Sequence, residues 1–278
     1  MKSGGDIDYQ KDTITTYQTS NKNISPISQS INSSVFNRLT NSLTMQSEDN
    51  SMMSVGGAIV VFAKCPIPGS SKTRLLSLLG TEGSSSLAQA MLSDILTSIS
   101  NQPILKNTLK VLCYAPKTGE IQMISILQSL NLPYPILYDD IDVDVDKEEQ
   151  LLNGNTWILM PMKSSSVSDL TSSSLGDKLE DALVRTRELL DTQKDSDNKG
   201  VLFLGMDSPE LPIEEIAHGL QVASSSRDNN KPGKAHLCPA HDGGYGLLSI
   251  PYDAQSSEIF KGIEEVQGGR IYPPPLQL

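Results

Sequence analysis

From Gly57 onward the chain switches repeatedly between short continuous apolar runs and longer stretches with a helical apolar period. The first run, "GAIVVFA" (57 to 63), is rich in β-branched residues and reads as a buried strand. It leads through a Pro/Gly-containing loop into "SSLAQAMLSDILTSIS", where Leu87, Met91, Ile95 and Ile99 recur every four positions and predict a helix with those residues on its inner face. "LKVLCYA" (Leu109 to Ala115) predicts a second strand, "EIQMISILQSL" a helix and "YPILYD" a third strand, a βαβαβ succession. Parallel pairing with right-handed crossovers is the default for such a succession. Further on, "TWILMPM" reads as a strand, "SLGDKLEDALVRTRELL" as a helix, "GVLFLGMD" (Gly200 to Asp207) as a buried strand and "IEEIAHGLQVAS" as a helix. "AHLCPAHD" and "YGLLSI" are strands joined at Gly243-Gly244, a hairpin signal. The acidic run "DDIDVDVDKEE" and a Ser-rich stretch after "TWILMPM" are expected surface loops.

Before Gly57 there is no sustained period. Residues 1–54 are dominated by Ser, Thr, Asn and Gln, too polar to offset the entropy of ordering, and are expected to be a disordered tail. Asp6, Asp8 and Asp12 argue against a mitochondrial-type address in that tail, with another organellar address as the alternative to a cytoplasmic location. The 278 residues thus divide into the tail and one α/β domain from 55 to 278.

Charge narrows the class of partner. A net charge of −11 sets the chain against non-specific nucleic-acid binding, while leaving a local basic site for a small anion. Cys65, Cys113 and Cys238 have neither disulfide-framework nor zinc spacing, which points to a reducing compartment. No stretch approaches the length of a membrane span.

Three segments carry candidate chemistry. "FAKCPIPGSSKTRL" (Phe62 to Leu75) follows the first strand, where an α/β sheet offers backbone amides and a helix end to an anion. Lys72 and Arg74 supply charge, Gly69 permits close backbone approach, and Pro66 and Pro68 stiffen the loop. It is not a P-loop, because Ser71 stands where G-x-x-x-x-G-K-[ST] requires glycine, and it lacks the G-x-G-x-x-G glycines. The alternative is a surface turn with solvated basic residues. In "FLGMDSPELP" a strand runs into Asp207, which could hold Mg²⁺ or Mn²⁺ shared with a diphosphate, or could cap the next helix. In "CPAHDGGYGLL", Asp242 could be a second metal ligand or orient an acceptor, or could belong to a plain hairpin turn. His241 is a ligand or base candidate, or an exposed turn residue. Cys65 has no paired base and reads as structural.

Taken in order, "VVFAKCPIPGSSKTRL", "SLGDKLEDAL", "LGMDSPELP" and "PAHDGGYGLL" resemble the bacterial radical-SAM/selenodomain-associated transferases, uncharacterised glycosyltransferases of the nucleotide-diphospho-sugar (GT-A-like) superfamily. The resemblance covers about Gly57 to Gly262. It implies a three-layer α/β/α fold with a mostly parallel, Rossmann-like sheet. It also implies a nucleotide or nucleotide-sugar donor, a small-molecule acceptor, and a Mg²⁺ or Mn²⁺ ion. Ala63, Lys64, Pro68, Gly69, Lys72, Thr73 and Arg74 would then contact the nucleotide, with Lys72 serving catalysis through its charge. Asp207 and Asp242 would hold the metal and take part in catalysis, and Asp242, Gly243, Gly244 and Tyr245 would form the acceptor side. The chain departs from the pattern at His241 and Gly246, and after "IFKGIEE" it continues as "VQGGRIYPPPLQL", so a shortened or altered C-terminus is expected. Glycosyl transfer leads; nucleotidyl transfer from an NTP to a phosphorylated metabolite and an inactive nucleotide-binding regulatory form are the alternatives.

Overall fold

The computed structural model describes residues 55–141, 155–163, 174–192, 200–224, 233–240 and 244–260, all in one unit. The tail, most of the acidic run, the Ser-rich stretch, His241, Asp242 and Gly243, and everything after Phe260 lie outside them.

The strands are β1 (Ala58–Lys64), β2 (Leu109–Ala115), β3 (Ile136–Leu137), β4 (Trp157–Pro161), β5 (Val201–Gly205), β6 (His236–Pro239) and β7 (Tyr245–Ile250). The helices are α1 (Leu76–Ser100), α2 (Glu120–Ser129), α3 (Leu175–Asp191), α4 (Ile213–Ser224) and a single turn, α5 (Ser256–Ile259). One seven-stranded sheet runs in the order β3-β4-β2-β1-β5-β7-β6. Its first five members are parallel, and β7 and β6 close it antiparallel.

The fold is α/β with helices on both faces, and the strand alternation shows why. Along β1, Ile59, Val61 and Ala63 join a core with Ala88 and Leu92 of α1, Met123 of α2 and Leu220 of α4. Ala58 and Val60 join a second core with Leu179, Leu183 and Leu190 of α3. Two covered faces need an apolar residue at every position, and that is what "AIVV" supplies. α3 is started by a capping box in which Ser174 Oγ accepts from the Asp177 amide at 3.1 Å and Asp177 returns the bond to the Ser174 amide at 2.8 Å.

Two expected elements differ. "YPILYD" pairs only through Ile136 and Leu137, and Tyr138–Asp140 then turn in a 3₁₀ helix, with Asp139 drawn to Lys117 (2.7 Å) and Tyr138 to Glu188 (3.1 Å). α1 buries Ala88, Leu92, Ile95, Leu96 and Ile99, so Leu87 and Met91 flank the buried stripe instead of forming it. The helical segment also begins well upstream, within "LSLLGTEGSSS". Ser85 explains part of this, since its Oγ donates to Pro66 O at 2.7 Å and is buried against the loop after β1.

Lys110, near the start of β2, is 1% exposed and donates to Leu105 O at 3.1 Å. Burial disfavours its charged form and lowers its pKa from 10.5 to about 8. Between these values the unfolded chain keeps a proton that the folded chain has released, so stability rises with pH across that window. Urea unfolding should therefore show wild type gaining about 1–3 kcal/mol relative to Lys110→Met from pH 8 to 10.5. Parallel pH profiles for the two proteins would refute this.

Candidate functional site

In the sheet order the chain leaves β1 towards β2 on one side and β5 lies on the other, so the strand order reverses at the β1/β5 boundary. Open α/β sheets bind ligands outside the carboxyl ends of strands at such a point. β1 outruns β5 here: Phe62 pairs with Gly205, and Ala63 and Lys64 extend beyond it beside β2. Met206 ties the two ends together, its amide donating to Phe62 O (3.0 Å) and its sulfur accepting from the Lys64 amide (3.3 Å). The chain then turns away at Asp207 and leaves a cleft of about 760 Å³.

Separated segments meet there. Phe62, Ala63 and Lys64 come from the first strand, Asp207 and Ser208 from the strand end after β5, and Gly244, Tyr245 and Gly246 from the start of β7. Met162, after β4, and Leu175 and Leu179 of α3 form an apolar wall, and Phe203 lines the cleft from the sheet. The wall is held in place by Arg185, which donates to Pro161 O through both terminal nitrogens (3.1 and 3.0 Å) and pairs with Asp181. Gly246 sits close to Ser208, since a β-carbon there would lie 3.2 Å from Ser208 Oγ. Burial raises the pKa of the Tyr245 phenol, keeping it protonated.

Lys72 reaches this end of the sheet from the loop, its ammonium bonded to the Asp207 carboxylate. The Lys72 side chain is 18% exposed and that of Asp207 71%, so solvent screens the pair and its worth is about 0.2–1 kcal/mol. A ligand phosphate can displace such a contact. Lys64, at the cleft, has no ion-pair partner among the described residues. Asp207 does not cap the following helix, because α4 begins six residues later, at Ile213.

The loop answers the question of its missing glycine. Ser71 is 2% exposed, and its Oγ donates to Cys65 O (2.7 Å) while accepting from the Ile67 amide (3.0 Å). Ser70 and Ser71 amides both bond Ile67 O (3.0 and 3.1 Å), so these groups brace the loop internally and are not directed at an anion. A cradle of backbone amides is thus reduced, and side-chain cations carry the positive charge. Gly69 (φ 75°) and Lys72 (φ 48°) take left-handed backbone conformations on either side of this brace. Pro68, Gly69, Thr73 and Arg74 are exposed, and neither they nor Lys72 line the cleft. Asp242 and Gly243 lie outside the described residues, although Ala240 N bonds Gly244 O (2.8 Å) across that turn. Cys65 is buried, its thiol facing Gln122 Oε1 (3.1 Å) and its pKa raised by desolvation, which suits a structural residue.

Sequence reasoning did not select Phe62, Met162, Leu175 or Leu179 as cleft residues. Only Phe62 carried a local signal, since alternation along β1 sets it on the α3 side with Ala58 and Val60. Met162 and α3 reach the cleft through sheet order, which no local pattern encodes.

Residues 141–265, less than half of the chain, match a family described as "Uncharacterized protein conserved in bacteria (DUF2064)". That stretch contains the Asp207 and Asp242 motifs and not the loop after β1. No curated protein matches the sequence. Among solved structures, a Desulfovibrio desulfuricans G20 protein provisionally assigned as a nucleotide-diphospho-sugar transferase superposes with a TM-score of 0.46 at 22% identity, over 76% of this chain and 69% of that one. A 4-diphosphocytidyl-2C-methyl-D-erythritol synthase superposes with a TM-score of 0.35 at 9% identity, over 71% of this chain and 76% of that one. Likenesses of this degree carry no argument about activity.

The brace is directly testable. Ser71→Ala should lower the unfolding free energy by about 0.5–1.5 kcal/mol, because it removes two hydrogen bonds from the brace while the Ile67 amide still bonds Cys65 O (2.8 Å). Ser71→Gly, which restores the P-loop spelling, should cost at least as much and bring no ATP binding. Urea melts and ATP titration decide; an ATP-binding, fully stable Ser71→Gly protein would contradict the role given to Ser71.

Proposed function

We propose that the chain is a transferase acting on a nucleotide-activated donor, with glycosyl transfer from a nucleotide-sugar as its reaction. The observation that carries the reading is the meeting of Lys64, Asp207, Ser208 and Tyr245 on one cleft at the strand-order reversal, with Lys72 bonded to Asp207 from the loop. In this reading the donor diphosphate lies along Lys64 and Lys72, whose charges stabilise the negative charge that develops on the leaving phosphate as the bond to the sugar carbon breaks. The acceptor lies towards Gly244 and Tyr245, and its hydroxyl oxygen forms the new bond while its proton passes to a base, the role assigned to Asp242. The apolar wall of Met162, Leu175 and Leu179 excludes water, which would otherwise compete with the acceptor.

The residues are compatible with a divalent ion without building a site alone. Among the described residues no group of three or more His, Cys, Asp or Glu side chains is placed to hold a metal. Asp207 is exposed enough to turn from Lys72 to an ion that it would share with phosphate oxygens and, in this reading, with Asp242. Mg²⁺ or Mn²⁺ held there would add positive charge at the leaving phosphate. No helix among the described residues is long and apolar enough to cross a membrane.

A thermal-shift panel of nucleotides and nucleotide-sugars, with and without Mg²⁺ or Mn²⁺, tests the reading. At least one nucleotide should raise the melting temperature of wild type, and Lys72→Ala should weaken that ligand's binding by about tenfold or more. Metal-enhanced stabilisation should disappear in Asp207→Ala. Release of nucleoside diphosphate identifies glycosyl transfer, and release of pyrophosphate would move the assignment to nucleotidyl transfer. Absence of any nucleotide effect on wild type would overturn the proposal, and binding without turnover for any acceptor would favour the regulatory alternative.

A further inference from the structure

Gly205 is a glycine that the protein's own packing does not explain. It ends β5 without a left-handed backbone, and a β-carbon there would meet nothing nearer than the Asp207 amide nitrogen, at 3.9 Å. Glycine weakens a strand, so an apolar residue would suit the sheet at least as well. The space such a side chain would take is the cleft, which Gly205 lines.

Strand alternation shows what adjoins that space. Val201 and Phe203 of β5 belong to the core on the α3 side of the sheet, and Gly205 continues the series. Phe62, its partner on β1, packs on the same side. Gly246 stands one position beyond the Leu204–Leu247 pair on β7, in series with Leu248 and Ile250 of that core. An aromatic ring and two positions without side chains thus form a floor, bordered by the apolar wall of Met162, Leu175 and Leu179. Depth and polarity run together: Phe203 is buried, Phe62 half-buried, and Lys64, two residues further along β1, exposed like Asp207. Among the described residues the inner cleft has no polar side chain, since Lys64, Asp207, Ser208 and Tyr245 all come from the rim where the strands end or begin.

A sugar placed in that inner part would bury its hydroxyls without partners, and a nucleobase would do the same with its hydrogen-bonding edge. An apolar body loses no hydrogen bonds there and gains by leaving water. We propose that the acceptor is an alcohol with an apolar, ring-sized body, which lies against Phe62, Gly205 and Gly246 with its hydroxyl at the rim beside Lys64 and Ser208, and that Gly205 reserves the room for it. The inference rests on the glycosyl-transfer reading given above. The step is the one described there: the hydroxyl oxygen bonds to the sugar carbon, the bond from that carbon to the donor diphosphate breaks, and the hydroxyl proton passes to the base.

Binding of benzyl alcohol to the full chain, followed without donor by ligand-observed saturation-transfer NMR, tests the slot, with methyl glucoside as the polar comparison. Wild type should bind benzyl alcohol roughly tenfold or more tighter than methyl glucoside. Gly205→Leu should weaken benzyl alcohol binding by a similar factor while its melting temperature stays level or rises, because leucine fills the slot and suits the strand. Gly205→Ala adds one carbon in open space and should act in the same direction, which keeps the proposal testable should leucine disturb the fold. Failure of wild type to bind benzyl alcohol, equal binding by wild type and both variants, or methyl glucoside bound as tightly would overturn the slot. The nucleotide panel described above decides the donor reading independently of these results. Displacement of benzyl alcohol by a nucleoside without phosphates would also overturn the proposal, by giving the inner cleft to the base of the donor.

Discussion

The burial of β1 on both faces is the constraint from which the rest follows. Val60 lies between Val111 of β2 and Phe203 of β5, and alternate residues of the strand feed separate cores above and below the sheet. A strand enclosed in this way can meet solvent only at its ends. Its carboxyl end therefore has to leave the sheet through a loop whose backbone polar groups are satisfied locally, and the Ser71 side chain accomplishes part of that. The same constraint places Ala63 and Lys64 at the rim, beside the turn after β5.

The chemistry of the cleft then divides by element. Strand ends supply the polar groups, because they are where the backbone turns outwards. The apolar side comes from Met162 and α3, whose approach is set by core packing and by the anchoring of Arg185 on Pro161. Basic charge comes from Lys64 at the end of β1 and from the exposed segment beyond Ser71, in which no residue from 72 to 80 is buried. The residues that pack the core and those that carry the exposed charge are therefore different residues.

How far the sequence could be read depends on whether a signal was local. β1, β4 and β5 were legible because full burial favours an unbroken apolar run, β2 because its run is broken only by Lys110, and the β6–β7 pair because Gly-Gly follows the first of its strands. The Ser-rich opening of α1 was not legible: "TEGSSS" has loop composition, and it is helical with Ser85 bonded to Pro66, nineteen positions away. The loop was recognisable as an anion candidate, yet Ser71 looked like a defect until its two hydrogen bonds gave it a purpose. Asp207 was identified as a candidate, whereas its contact with Lys72, separated by 135 positions, depends on the order of the strands.

The central claim is that a nucleotide binds across the carboxyl ends of β1 and β5. Amide hydrogen exchange on the full chain, with UDP, GDP, CDP and ADP added in turn, tests this most directly. The account predicts that at least one of them adds protection concentrated at Ala63 to Leu75, Gly205 to Ser208 and Gly244 to Gly246. Protection by none of the four, or protection centred on the opposite end of the sheet around Gly57, Gly200 and Ile250, would contradict it.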